Sequence, residues 1–420
     1  MGTVVVSPSS LRGSVLLPPS KSHTMRALVL AAMANGISLI HNPLRSPDTD
    51  AMIFAISGLG AECGYEDDYI YVRGVGGKLR PKISHLDVGN SGLVLRFAAA
   101  LYAQGRAPVT ITGDDSICHR RSVESLADGL RQLGARVEFL ERDGFAPFRI
   151  QGPIHSGDCW LEAEESQPLS ALLLSLPFLK GGSTVAVGKM GERPWIEMTL
   201  SWLSRVGIKV IRKENEFLVP GGQRATKFSY TIPADMSALA FMVAAALLTD
   251  SDVQICGIDP EQGDYRIIDY VQRMGASVSF EGNTLRVKGP QKLFGIELDI
   301  NETVNALPVV SILAAHAKGP SRLYNGSIYR NKESDRIAAM AHALSQMGIR
   351  VSEESDGLTI FGGQTVSATL DGMNDHRIAM ALALTGLRKK MKICGVSCVK
   401  KSFPGFFSTL RSLGAEIETA

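Results

Sequence analysis

Apolar residues along this chain fall into blocks that repeat. From residue 21 to 33, Met25, Leu28, Val29, Ala32 and Met33 recur at helical spacing. This predicts a helix with Ser20 as N-cap, stopped by Asn35-Gly36. Residues 93–101 are apolar except for Arg96, and residues 378–384 are apolar throughout. Helices apolar on every side are buried ones. Similar helices open near Ser22, Asn90, Ser166, Asp235, Asn305 and Asn374.

A second series supports the first. Ile56-Ser57-Gly58-Leu59-Gly60-Ala61 resembles Leu130-Arg131-Gln132-Leu133-Gly134-Ala135, and residues 203–208, 271–276, 344–349 and 410–415 share the pattern. Each reads as a helix end, a glycine just past the last turn, then a strand such as Arg136-Val137-Glu138-Phe139. The marker glycines are Gly60, Gly134, Gly207, Gly275, Gly348 and Gly414, so successive gaps are 74, 73, 68, 73 and 66 residues. Six copies at near-constant spacing predict a repeated unit of strand, helix, strand, helix, strand, strand. That unit is longer than a solenoid repeat and can bury a small core. With 420 residues, past the size of one core, the pattern predicts an α/β protein of two pseudo-symmetric domains, three repeats each.

Composition narrows the function. The net charge of +2 gives no bulk attraction to nucleic acid or membrane, and aromatics, at 6%, are few for base stacking. The amino-terminal residues lack the charged and apolar segments of a signal peptide, and no apolar run is long enough to span a membrane. Six scattered cysteines without histidine partners argue for reduced thiols in the cytoplasm and against a metal site. No Walker or dinucleotide fingerprint is present, so ATP and NAD lack their usual marks.

Candidate chemistry gathers at the predicted helix starts. Lys21, Arg26, Arg96, Arg121, Lys332, Arg336, Arg377 and Lys401 lie at or near such openings or in loops. Helix N-termini present free N–H groups and favour anions. Gly89-Asn90-Ser91-Gly92 allows a ligand close to the backbone, and Glu165-Ser166-Gln167 opens a third helix. Lys332 and Arg336 are expected one turn apart on one helical face, and Asn374 is expected to cap the helix that carries Arg377. Each could be a solvated helix start; together, in a nearly neutral chain, they fit two small anions.

These motifs resemble a known family. Pro19-Ser20-Lys21-Ser22, Gly89-Asn90-Ser91-Gly92, Lys332-Glu333-Ser334-Asp335-Arg336, Asn374-Asp375-His376-Arg377 and Lys401-Ser402-Phe403-Pro404 are similar, in order, to the EPSP synthases (3-phosphoshikimate 1-carboxyvinyltransferases). Glu192-Arg193-Pro194-Trp195 is similar to the chlamydial branch. The resemblance implies an inside-out α/β barrel fold of βαβαββ repeats. Residues 1–19 with 234–420 would form one domain and 20–233 the other, with the active site in a cleft that closes between them. It implies transfer of the enolpyruvyl group of phosphoenolpyruvate to the 5-hydroxyl of shikimate 3-phosphate, on the route to chorismate. No cofactor or metal is implied; a cytoplasmic monomer that is a target of glyphosate is expected.

By the same resemblance, Lys21, Ser22, Arg26, Ser166, Gln167, Asn305 and Lys332 would hold shikimate 3-phosphate. Lys21, Gly92, Arg121, Gln167, Arg336, Arg377 and Lys401 would hold phosphoenolpyruvate. Asn305, Glu333, Lys21 and Lys332 would be catalytic, with Glu333 matching the proton-transferring glutamate.

Two departures stand out. Asn305 replaces an aspartate that serves the family as a base, and an amide cannot take a proton near neutral pH. Ligand binding with reduced turnover is therefore expected, Asn305→Asp is expected to raise the rate, and Glu302 is a candidate substitute. A silent anion-binding homologue is the alternative. Glu165 and Glu192 stand where many members place phosphate-binding serines. They would repel a phosphate unless they turn away or pair with a cation such as Arg193.

Overall fold

The computed structural model describes residues 2–303 and 305–419. The chain divides into two compact units, Pro19–Ile232 and Met1–Pro18 joined by Pro233–Ala420. It crosses between them at Pro18-Pro19 and Ile232-Pro233.

In Pro19–Ile232 the apolar blocks form the helices Lys21–Met33, Gly92–Tyr102 and Ser166–Ser175. The other unit has Met236–Leu248, Leu307–Ala315 and His376–Gly386. Met236–Leu248 and His376–Gly386 are buried along their whole length, as helices without a polar face must be. Each unit has one continuous apolar core built on its three such helices. All six marker glycines adopt φ between 80° and 109°, a region that only glycine enters without strain, so each turns the chain from the end of a second helix.

Every repeat contributes a four-stranded sheet with one parallel and two antiparallel pairings. His85–Asp87, Val109–Thr112, Phe148–Gln151 and Arg136–Phe139, in that spatial order, are an example. The sheets stay separate among the described residues and none closes into a barrel. The inside-out barrel expected from the resemblance is thus realised as buried helices against open sheets.

The strands at the crossings are exchanged. Arg12–Leu16 directly precedes the helix Lys21–Met33 yet pairs in parallel with Ser251–Cys256 in its own unit. Ser229–Thr231, which precedes Met236–Leu248, instead pairs in parallel with Asn35–His41. The first strand, Thr3–Val6, fills the sheet of the last repeat between Met391–Cys394 and Ile417–Thr419.

Two expected helix starts are corrected. The helix after Lys332 begins only at Arg336, capped by Asp335, which accepts from the Ala338 N–H at 3.0 Å. Lys332 follows the short 3-10 turn Ser327–Asn331 and does not share a helical face with Arg336. Asn374 does not cap its helix: it sits at φ 51°, and Asp375 is the cap, accepting from the Arg377 N–H at 2.9 Å. An ionised carboxylate is the better partner for the positive helix end.

Candidate active site

In the unit Pro19–Ile232, three helix starts carry the predicted residues. Lys21 opens its helix with Nζ 3.2 Å from the buried Asp48 carboxylate. Asp48 also accepts from the Ser91 hydroxyl at 3.0 Å, and Ser91 caps the helix that begins at Gly92. A Cβ at Gly92 would lie 2.9 Å from Nη1 of both Arg96 and Arg121 and 3.4 Å from Gln167 Oε1. Gly92, Arg121 and Gln167 are therefore neighbours, and the missing side chain keeps the guanidinium groups close to the helix start.

Arg96 is buried and donates to Glu165 at 2.7 Å, to the Ser122 carbonyl at 2.7 Å and to Gln167 at 3.1 Å. Glu165 is thus paired with a cation. Glu192 is engaged by the helix start itself: its Oε2 accepts from both the N–H and the hydroxyl of Ser166, at 3.0 and 2.7 Å. It is buried and held at φ 48°. A carboxylate thus occupies the start of the Ser166 helix, where an anion is favoured.

Arg26 points into the unit. Its guanidinium donates to the Thr199 hydroxyl at 2.8 Å and to the carbonyls of Ser22 and Trp195 at 3.2 and 3.0 Å, and it lies 5.6 Å from the Phe97 ring centre. These partners are neutral, and burial pulls its pKa down to about 9. Ser22 stands in the first turn of the same helix, partly exposed.

In the other unit, Glu333 is the hub. Its carboxylate accepts from Lys401 Nζ at 2.8 Å and from Arg336 Nη2 at 2.9 Å, with His376 Nδ1 3.8 Å away. Arg336 also donates to both oxygens of Asp375, at 2.8 and 3.2 Å. Burial alone would lower the Arg336 pKa; Asp375 and Glu333 outweigh it and the net shift is upward. Lys332 is buried in the segment just before Glu333. Arg377 is buried beside Phe241, with Nε unpaired among the described residues, and burial lowers its pKa despite Asp235 and Asp264.

Asn305 precedes the helix Leu307–Ala315 rather than capping it. Its amide donates to Asp264 Oδ2 at 2.9 Å and to the Ser237 hydroxyl oxygen at 3.2 Å. Glu302 forms a half-exposed ion pair with Arg266 at 2.6 Å. Asp48, Asp264 and Ser237 were absent from the sequence candidates. Asp48 had a signal, since Ser46-Pro47-Asp48 is a helix opening; Asp264 had none. No group of residues suited to a metal ion occurs among the described residues, and no helix there is long and apolar enough to cross a membrane.

The family model for EPSP synthase (3-phosphoshikimate 1-carboxyvinyltransferase) matches residues 5–410. The chain belongs to the EPSP synthase family. Curated relatives named 3-phosphoshikimate 1-carboxyvinyltransferase include one from Chlamydia muridarum, 36% identical over 98% of this chain and 95% of that protein. One from Methanococcoides burtonii is 37% identical over 99% and 98%. The solved EPSP synthase of Acinetobacter baumannii superposes with a TM-score of 0.83 at 26% identity, each chain fully covered. The enolpyruvyl transferase NikO of Streptomyces tendae reaches 0.80 at 16% identity, covering 100% of this chain and 98% of that one, and shows the fold alone. Membership of the EPSP synthase family makes the chain a transferase of the shikimate pathway, and these relatives lend no support to the silent-homologue alternative.

Proposed function

We propose that the two sets of helix starts serve one reaction: the 5-hydroxyl of shikimate 3-phosphate takes the enolpyruvyl group of phosphoenolpyruvate, and inorganic phosphate leaves. The observation that carries this reading is Glu333, a buried carboxylate held between Lys401 and Arg336. Carbon 3 of phosphoenolpyruvate must gain a proton and later lose it. A carboxyl group fixed among cations can do both, while those cations stabilise the phosphate that departs.

Gly92, Arg121 and Gln167 form the other phosphoenolpyruvate-facing group, and Lys21 stands at a helix opening braced by Asp48. Arg26, buried with neutral partners only, is assigned to the anionic acceptor. Ser166 would receive the 3-phosphate once Glu192 yields its place. The six cysteines, all free, support a reducing, cytoplasmic setting. Phosphate release from phosphoenolpyruvate, measured with and without shikimate 3-phosphate, tests the reading. Release that requires this acceptor is expected. Release without it, or only with another alcohol, would refute the assignment.

A further inference from the structure

The transfer needs a group that accepts the hydroxyl proton, and an amide at position 305 cannot take it. The contacts of Asn305 lead to one that can. Its Nδ2 donates to Asp264 Oδ2, and the Ser237 hydroxyl donates to the same oxygen. Asp264 is 3% exposed and its Oδ1 has no hydrogen-bond partner among the described residues. Ser237 stands in the first turn of Met236–Leu248, where Asp235 caps its N–H at 2.8 Å. A serine oxygen has two lone pairs, and Asn305 occupies one of them at 3.2 Å.

We propose that Ser237 and Asp264 form the proton relay of the acceptor half-reaction, with Asn305 holding the pair in line. This rests on the reaction proposed above. The acceptor hydroxyl gives its proton to Ser237 Oγ as the Ser237 proton passes to Asp264 Oδ2. The electron pair freed on the alcohol oxygen forms the bond to carbon 2, and carbon 3 takes a proton from Glu333 in its acid form. When carbon 3 returns that proton, the bond from carbon 2 to the phosphate oxygen breaks. The relay proton leaves with the phosphate as its monohydrogen form, and Ser237 and Asp264 regain their starting state. Ser237 is the residue that touches the substrate, and Asp264 acts through it as a positioning and proton-holding residue.

The charged surroundings suit this task. Asp235, Tyr270 and Tyr329 disfavour charge on Asp264, Arg377 favours it, and burial is the largest influence, so its pKa is raised. A carboxylate poised closer to neutrality returns a proton more readily. Glu302, the substitute suggested by the sequence, lies in a half-exposed pair with Arg266 and has no such link to Asn305.

Steady-state phosphate release from pH 5 to 9, with kcat separated from KM, tests the relay in the full chain. Asp264→Asn and Ser237→Ala are each expected to lower kcat at least about 100-fold while KM for both substrates moves only a few-fold. The acid limb of the kcat profile should vanish in Asp264→Asn. Contrary to the expectation from the sequence, Asn305→Asp would place two carboxylates face to face, so its acid limb should move to higher pH and its kcat at pH 7 should fall. The exchange Asp264→Asn with Asn305→Asp keeps the hydrogen bond with donor and acceptor reversed. It should recover at least tenfold over Asp264→Asn.

A rise in kcat for Asn305→Asp, an unmoved acid limb, or near-normal kcat in Ser237→Ala would each overturn the relay. If Asp264→Asn does not fold, Ser237→Ala and Asn305→Asp decide. Dependence of the unaltered chain on shikimate 3-phosphate separates failure of the relay from failure of the reaction assignment.

Discussion

Two arginines, one in each unit, are equally buried and differently kept. Arg26 and Arg336 are 2% and 1% exposed. Arg336 lies against Asp375 and Glu333, and its charge is compensated inside the protein. Arg26 has a hydroxyl, two carbonyls and the face of a ring for company, and no carboxylate among the contacts described. A buried cation without a counter-charge is costly. The shift of Arg26 toward about 9, against the upward shift of Arg336, expresses that difference. Arg336 is a brace that fixes Glu333, whereas Arg26 is a positive charge that an incoming anion can satisfy.

The comparison can be broken most sharply at Glu333. Glu333→Gln removes the carboxylate that Arg336 and Lys401 hold, and kcat is expected to fall about 10²–10⁴-fold. Calorimetric affinity for shikimate 3-phosphate should change only a few-fold; a parallel loss of binding would mean that Glu333 organises the site rather than the chemistry.

Next comes the pair itself. Arg336→Met leaves the buried Asp375 without its cation and Glu333 with Lys401 alone, and should cost about 3–5 kcal/mol in urea unfolding of its unit. Arg26→Met strands only neutral acceptors and should cost about 1–2 kcal/mol. It should nevertheless weaken shikimate 3-phosphate binding by at least about tenfold, because a charged hydrogen-bond donor to the ligand is lost. Equal stability losses would remove the distinction.

His316 extends the comparison to a cation that burial suppresses. Its Nδ1 faces the Ile312 carbonyl at 2.9 Å, its Nε2 is unpaired among the described residues, and burial lowers its pKa from 6.5 to about 4. The unfolded chain takes up the proton first. Stability is therefore complete above pH 6.5 and falls as pH drops toward 4, by up to about 3 kcal/mol. Urea midpoints at pH 7 and 5 should diverge in the unaltered chain and converge in His316→Gln.

The smallest effect concerns Glu192. Glu192→Gln keeps an acceptor for Ser166 and removes the negative charge. Affinity for shikimate 3-phosphate should rise about fivefold, worth about 1 kcal/mol. Unchanged affinity would show that Glu192 already turns away when the ligand binds.

Much of this architecture was legible before any coordinates. The marker glycines announced six helix-to-strand turns because positive φ leaves a residue-specific mark. The all-apolar blocks announced buried helices because nothing else can solvate them. The exchange of Arg12–Leu16 and Ser229–Thr231 was not legible, since pairing partners more than 150 residues apart leave no local trace. At the site, residues named from separate motifs are found together: Lys401 and Arg336 both reach Glu333. Second partners were not legible. Asp264 reaches Asn305 across 41 positions of sequence, and only packing reveals it.

The exchanged strands also impose an order of assembly. Pro19–Ile232 draws its final strand, Ser229–Thr231, from its own end, so it is complete soon after residue 232 is synthesised. Thr3–Val6 must wait for Met391–Cys394 and Ile417–Thr419, nearly the full length of the chain away. Closing so long a loop adds little to its entropic cost, which grows only with the logarithm of length. It does add time. During synthesis at about 5–20 residues per second, the first eighteen residues stay unpaired until the later half arrives. The enclosed unit can then be finished while the one that surrounds it in sequence is still being made.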